Sequence, residues 1–260
     1  MYPKILHIWG PLYINSFGAM IAFGLFITMW FISKDKRRTK IISLEDFSTV
    51  LVVGVVTVVS GARILTLITE HEKIHSIVDL FDFWNGGISS LGGIIAALIV
   101  IPIYLHYKKI KFLSFFDLIA TYLPIVHIFT RIGCFLAGCC YGTKSNLSWA
   151  IQYTNPQCEA PLHVHIHPTQ IYSILALILV FIVILVGKKY LFTKTGQIAM
   201  LYLFMTGLER FSVDFWRGDR SFFKIFSILS IDQICALAVT IVGLCGFLYL
   251  TFLRKECKTT

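Results

Sequence analysis

Seven apolar stretches, at about 14–33, 47–69, 86–105, 113–136, 169–187, 196–215 and 229–252, take up most of this 260-residue chain. Each is close to the roughly 20 residues that a helix needs to cross a hydrocarbon core. The runs are continuous and lack the alternation of a ten-residue barrel strand, so each predicts a helix. The fold class expected is therefore an all-α integral membrane protein with about seven transmembrane helices. Residues 1–260 are read as a single polytopic transmembrane domain, with no internal repeat.

Composition agrees. Charged residues make up 14% of the chain and hydrophobic ones 57%, against about 25% charged in soluble domains. A net charge of +9 would suit a nucleic-acid partner. The basic residues, however, lie in short runs between apolar stretches, which membrane topology explains with no nucleic acid involved. The first stretch lacks the order of a cleaved leader, because the basic run KDKRRTK follows it.

Loop charge gives the orientation. Lysines and arginines after the first, third, fifth and seventh stretches account for 14 of the chain's 23. The positive-inside rule then puts the N-terminus outside and the C-terminus in the cytoplasm. The one long connection, about 137–168, falls on the outer side and carries most of the unusual residues.

Ionisable residues inside apolar stretches are rare and mark function. Arg63 ends the sequence SGAR in the second stretch, where the small residues would let helices approach closely. Arg131 lies near the outer end of the fourth. Arg210, Asp214 and Arg217 follow at spacings that share one helical face. Guanidinium groups bind two phosphate oxygens at once, so arginines from several spans predict a site for an anionic headgroup. Few acids stand near them, and the missing negative charge is expected to come from a ligand.

Cys134, Cys139, Cys140 and Cys158 surround the outer end of the fourth stretch. His163, His165 and His167 follow at every second residue, a pattern that could bring three imidazoles to one side of a strand. A zinc site is conceivable, but C-x4-C-C is not a specific ligand spacing, and no metal or other cofactor is expected. A disulfide from Cys158 to Cys139 or Cys140, or simple packing of small thiols, remains open. His127 lies four residues before Arg131 on the same face. The glycine-rich NGGISSLGG, Asn85–Gly93, allows close backbone approach at the start of the third stretch, and its serines could hydrogen-bond a headgroup.

Taken in order, these pieces resemble the prolipoprotein diacylglyceryl transferase family. TRIGCFLAGCCYG matches its central signature at Arg131, Gly133, Phe135, Gly138 and Gly142. HPTQIY, His167 to Tyr172, resembles a second motif. GAR ending at Arg63, TGLER…DFWR carrying Arg210, Asp214 and Arg217, and SIDQ ending at Gln233 resemble three more. The family's seven spans and outside N-terminus agree with the loop charges. The departures are also definite. Leu91 stands where the family has a histidine important for activity. Cys134, Ala137 and Cys139 replace an asparagine, an asparagine and a glutamate, Thr206 a tyrosine, and Phe17 a tyrosine.

The resemblance implies transfer of a diacylglyceryl group from phosphatidylglycerol to the lipobox cysteine of prolipoprotein signal peptides, with glycerol phosphate leaving, at the bacterial plasma membrane. It implies Arg131 and Arg210 as a catalytic clamp on the phosphate. Arg63, Gly92, Gly93, Arg217 and Gly142 join Arg131 in binding substrate. His167 is the expected replacement base, with His127 and Cys139 behind it. Two alternatives stay open: a transferase with another acceptor, and a non-catalytic lipid-binding or anion-transport protein.

Overall fold

The structure, a computed structural model, describes residues 2–9, 12–69, 90–220 and 229–253. Lys73, Asn85, Gly86, Gly87, Ser89, Lys224, Arg254, Lys255, Cys257 and Lys258 therefore lie outside the described residues, as do the side chains of His7, Ser90 and Leu91. The chain folds as two units, Met1–Lys34 with Phe116–Thr260 and Asp35–Phe115.

The smaller unit is built on α3 (Leu44–Thr69) and α4 (Ser90–Tyr107). Before them the basic run folds as a short helix, α2 (Lys36–Ile41), where the sequence predicted only a loop. Asp35 caps it, accepting the backbone N–H of Arg37 at 2.9 Å and pairing with its guanidinium at 3.0 Å. Helices α3 and α4 touch backbone to backbone through the glycines expected to allow it. A Cβ on Gly61 would lie 2.7 Å from the Gly92 carbonyl oxygen, and one on Gly93 would lie 2.9 Å from that of Val58.

No side chain fits that seam without moving a helix. Gly61→Val is expected to lower stability by at least about 1–3 kcal/mol, the range for overpacking. Gly54→Ala, whose nearest neighbour would stand 4.0 Å away, is expected to be neutral. Melting temperatures of the two variants in detergent check this; equal values would show that the seam is not tight.

The larger unit begins with an antiparallel hairpin that no periodicity announced, β1 (Lys4–Trp9) and β2 (Leu12–Asn15). It leads into α1 (Ser16–Lys34), which meets α5 (Phe112–Ala137) where Gly24 faces Phe129 and Phe31 stacks on Tyr122. The core lies among α5, α6 (Thr169–Tyr190) and α7 (Gln197–Asp214), around Ala120, Val180, Ile184, Ile198 and Tyr202. Asp117 of α5 accepts the backbone N–H groups of Gly196 at 2.5 Å and Ala199 at 2.8 Å. This buried carboxylate thus satisfies the open amides at the start of α7. Helix α8 (Ile231–Leu248), which runs on into a π-helical turn at Tyr249–Leu253, packs closely on α7 at Gly207 and Gly243.

Among the described residues, five helices are long and apolar enough to cross a membrane: Ser16–Lys34, Leu44–Thr69, Phe112–Ala137, Thr169–Tyr190 and Ile231–Phe252. The other two expected stretches also form helices. The described apolar part of α4 is shorter, and α7 carries Glu209, Arg210 and Asp214. The apolar helices keep large side chains on the surface: Phe26 is 67% exposed, Leu98 65% and Leu175 62%. Apolar exposure repeated on that scale is unfavourable in water and suits lipid.

Candidate active site

The polar motifs of the larger unit converge on the end of α5. That helix stops at Ala137, and Gly138 turns the chain with φ of 80°. A second positive φ, 55° at Cys140, completes the turn. The segment after it is gripped from two directions. The His167 N–H donates to the Thr143 carbonyl at 2.9 Å, and the Thr143 N–H donates to that of Trp216 at 2.8 Å. Gly142 itself forms an antiparallel bridge with Arg217. A Cβ on Gly142 would lie within 3 Å of three atoms of His167, so this glycine is required by close approach.

The HPTQIY motif gives α6 its start and anchors the turn. Thr169 Oγ1 donates to the Cys140 carbonyl and Gln170 Nε2 to that of Cys139, both at 2.8 Å. The outer connection is a small ordered layer. Strands β3 (Ile151–Gln152) and β4 (His165–Ile166) pair, and Tyr153, Ala160 and Ile166 bury beneath them. The three histidines do not form a ligand set. His163 takes a left-handed φ of 59°, which breaks the alternation, and both His163 and His165 are exposed. His167 instead lies with Nδ1 3.2 Å from Tyr172 Oη, which also accepts the Trp149 indole N–H at 2.9 Å. The tyrosine hydroxyl can donate to or accept from the ring, so it serves either tautomer. His127 is the packed histidine of the pair, 3.1 Å from the buried Tyr202 hydroxyl.

The arginines are not equivalent. Helix α7 ends at Asp214, so Arg217 lies past it and the expected single face of Arg210, Asp214 and Arg217 is broken. Arg210 pairs instead with Asp232 of α8, at 2.7 Å. The same Asp232 oxygen lies 3.0 Å from Arg217, which also takes Asp219 in a two-point bond of 2.9 and 2.8 Å. Burial alone would lower the Arg217 pKa, but the Asp219 carboxylate holds it above its usual value. Asp214, 1% exposed, accepts the Ser230 hydroxyl at 2.5 Å and lies 3.2 Å from Arg220 Nε.

Ser230 is also where the SIDQ motif acquires a meaning. It is a capping box: Ser230 Oγ accepts the Gln233 N–H and Gln233 Oε1 accepts the Ser230 N–H, each at 3.0 Å. The S-x-x-Q spacing could have revealed that from sequence. Nothing in the spacing pointed to Asp219, or to Asp232 as the bridge between two arginines.

Arg131 is the exception. It is half-buried near the end of α5, and among the described residues no carboxylate pairs with it. Its charge acts on Arg210, Cys134 and Cys140. Among the described residues Cys134, Cys139 and Cys140 are free thiols, as are Cys158, Cys235 and Cys245. Hydrogen bonds from Cys134 and Cys139 hold the Cys140 thiol below its usual pKa, with Arg217 and Arg131 adding to the effect against burial. Hydrogen bonds to Cys134 and Cys140, with burial, push the Cys139 thiol up.

Arg63, Gly92 and Gly93 belong to the smaller unit, all three buried, where α3 and α4 position them. Arg131, Arg210, Arg217, Gly142 and His167 are the predicted residues that the larger unit brings together.

Residues 3–249 match the prolipoprotein diacylglyceryl transferase profile. The chain belongs to that family. A phosphatidylglycerol–prolipoprotein diacylglyceryl transferase of Clostridium tetani is 33% identical over 95% of this chain and 97% of its own length. One from Idiomarina loihiensis is 31% identical over 93% and 90%, and one from Dehalococcoides mccartyi is 28% identical over 96% and 94%. The resemblance read from ordered motifs thus holds over nearly the whole chain. The transferase motifs of the larger unit are those that meet at the end of α5.

Proposed function

We propose that this chain is a phosphatidylglycerol–prolipoprotein diacylglyceryl transferase of the bacterial plasma membrane, crossing it seven times as one polytopic domain with the N-terminus outside. Its substrates are phosphatidylglycerol and the lipobox cysteine of a prolipoprotein signal peptide. The observation that carries the reading is Arg131, a half-buried cation without a carboxylate partner among the described residues, set where the family's motifs converge. Around it Arg210, Arg217 and Arg220 face Asp214, Asp219 and Asp232, so the nearby charges cancel and Arg131 is left to attract an anion.

In the reaction the acceptor thiol loses its proton, and its sulfur forms a bond to the glycerol carbon of the diacylglyceryl group. The carbon–oxygen bond to phosphate breaks, and glycerol phosphate leaves with the electron pair. Arg131, assisted by Arg210, stabilises the charge that grows on the departing phosphate. Arg217 and Gly142 of the larger unit bind the lipid headgroup, and Arg63, Gly92 and Gly93 of the smaller unit are also assigned to substrate binding. Leu91 cannot take a proton, and His167 fills that role. When Tyr172 accepts its Nδ1–H, Nε2 presents a free lone pair.

Purified protein given phosphatidylglycerol labelled in its diacylglycerol part, with a lipobox peptide, is expected to label the cysteine peptide and not its cysteine-to-serine control. Folded, lipid-binding protein that labels neither would overturn the acceptor and direct the search to other thiols and amines.

A further inference from the structure

We propose that Cys134, Cys139 and Cys140 form a binding site for one thiophilic divalent cation of the zinc class. Their three Sγ atoms all lie within 4.8 Å of one another. Zinc–sulfur bonds of about 2.3 Å set sulfur–sulfur edges of about 3.8 Å in a tetrahedral site. No pair at 4.8 Å or less therefore has to close by more than about 1 Å, a shift within reach of side-chain torsions.

The backbone is arranged to bring these thiols together. Side chains of consecutive residues ordinarily diverge. Here Gly138 at φ of 80° and Cys140 at φ of 55° turn the chain so that both Cys139 and Cys140 meet Cys134 of α5. The left-handed conformation is unfavourable for a cysteine, and the surroundings hold it in place. Thr169 and Gln170 clamp the carbonyls of Cys140 and Cys139 at 2.8 Å, an outer shell that fixes the ligand-bearing backbone.

Charge fits as well. Three thiolates around a divalent cation leave one net negative charge. The charges of Arg131, Arg210 and Arg217 act on this same cluster, through Cys140. Cysteines serving only as small apolar filler would have no reason to gather beside cations. Three protein ligands leave a fourth position for water or a small ligand. A bound ion would staple the end of α5 to the turn that presents Gly142. This goes beyond the transfer reaction, which proceeds without a metal in the mechanism above.

The test is a titration of reduced protein in detergent with cadmium chloride, read by thiolate-to-cadmium charge-transfer absorption. One equivalent per chain is expected to saturate the band, and zinc sulfate is expected to bleach it. C139S and C140S should each weaken binding at least about tenfold, while C245S, on α8 and exposed, should leave it unchanged. Because a serine variant can fail to fold, maleimide labelling of the unaltered chain is read in parallel by mass spectrometry. Cadmium should protect Cys139 and Cys140, which are partly exposed, and leave Cys245 reactive. A band that does not saturate at one equivalent, or equal labelling with and without cadmium, overturns the site. Neither readout uses transferase activity. Transfer without cadmium binding defeats this inference alone, and cadmium binding without transfer defeats only the function proposed above.

Discussion

Arg131→Ala is expected to reduce kcat/KM for diacylglyceryl transfer by at least about 100-fold, the scale for deleting one donor that stabilises developing charge. Stability should hardly change, because among the described residues Arg131 leaves no carboxylate behind. That separation distinguishes it from Arg210, whose removal takes from Asp232 one of its two partners. Arg131→Lys keeps the charge but loses the planar fork that binds two phosphate oxygens, and should fall between the unaltered protein and Arg131→Ala. Transfer rates and melting temperatures measured on the same preparations test this. Activity of Arg131→Ala within about threefold of the unaltered protein would remove Arg131 from the reaction.

Asp214→Ala should have the largest effect on stability. Its carboxylate is 1% exposed and receives the Ser230 hydroxyl at 2.5 Å, Arg220 Nε at 3.2 Å and Arg217 Nη1 at 3.5 Å. Removing the acid takes a buried carboxylate from Arg220 and Arg217, which keep Gln233 and the Asp219 and Asp232 carboxylates respectively, and leaves the hydroxyl that starts α8 without its acceptor. Breaking a buried pair in this way costs about 3–5 kcal/mol, a large share of the roughly 5–15 kcal/mol that holds a typical protein folded. Ser230→Ala should cost about 0.5–2 kcal/mol as a lost cap. The double variant should cost less than the sum, because both changes damage one network. Thermal unfolding in detergent of the two single variants and the double checks the pattern. Strict additivity would mean that Asp214 and Ser230 act separately.

The apolar stretches were legible because a bilayer tests length and composition, both of which are local. Each expected stretch overlaps one of the long helices, with ends displaced by a few residues where a cap or a turn decides, as at Ser230 before α8. The hairpin at Lys4–Asn15 and the helix at Lys36–Ile41 were missed, since neither has an apolar face long enough to announce itself. The glycines of the α3–α4 seam were read correctly as points of close approach, because a missing side chain carries the same meaning in any helix pair.

Which of these polar residues gather in the larger unit was legible in the sequence, and how they pair was not. Sequence order marked Arg131, Gly142, His167, Arg210 and Arg217, and the larger unit brings these five together. Helical spacing then put Arg210, Asp214 and Arg217 on one face, and the end of α7 at Asp214 cancelled that geometry. Strand alternation offered three converging histidines, and one left-handed residue, His163, dispersed them. The C-x4-C-C spacing is not a specific ligand pattern, yet two positive φ angles gather its three thiols.

By itself, then, the sequence determined the membrane helices, the loop charges and the identity of the unusual polar residues. These follow from hydrophobicity and charge, which each residue carries wherever it is placed. Only the tertiary structure decided which arginine of the candidate site has no carboxylate beside it among the described residues. Arg210 finds its acid 22 residues away and Arg217 shares that acid from 15 residues away. Such distances are closed by helix packing at Gly207 and Gly243 and by the turn after α7, which no local periodicity encodes.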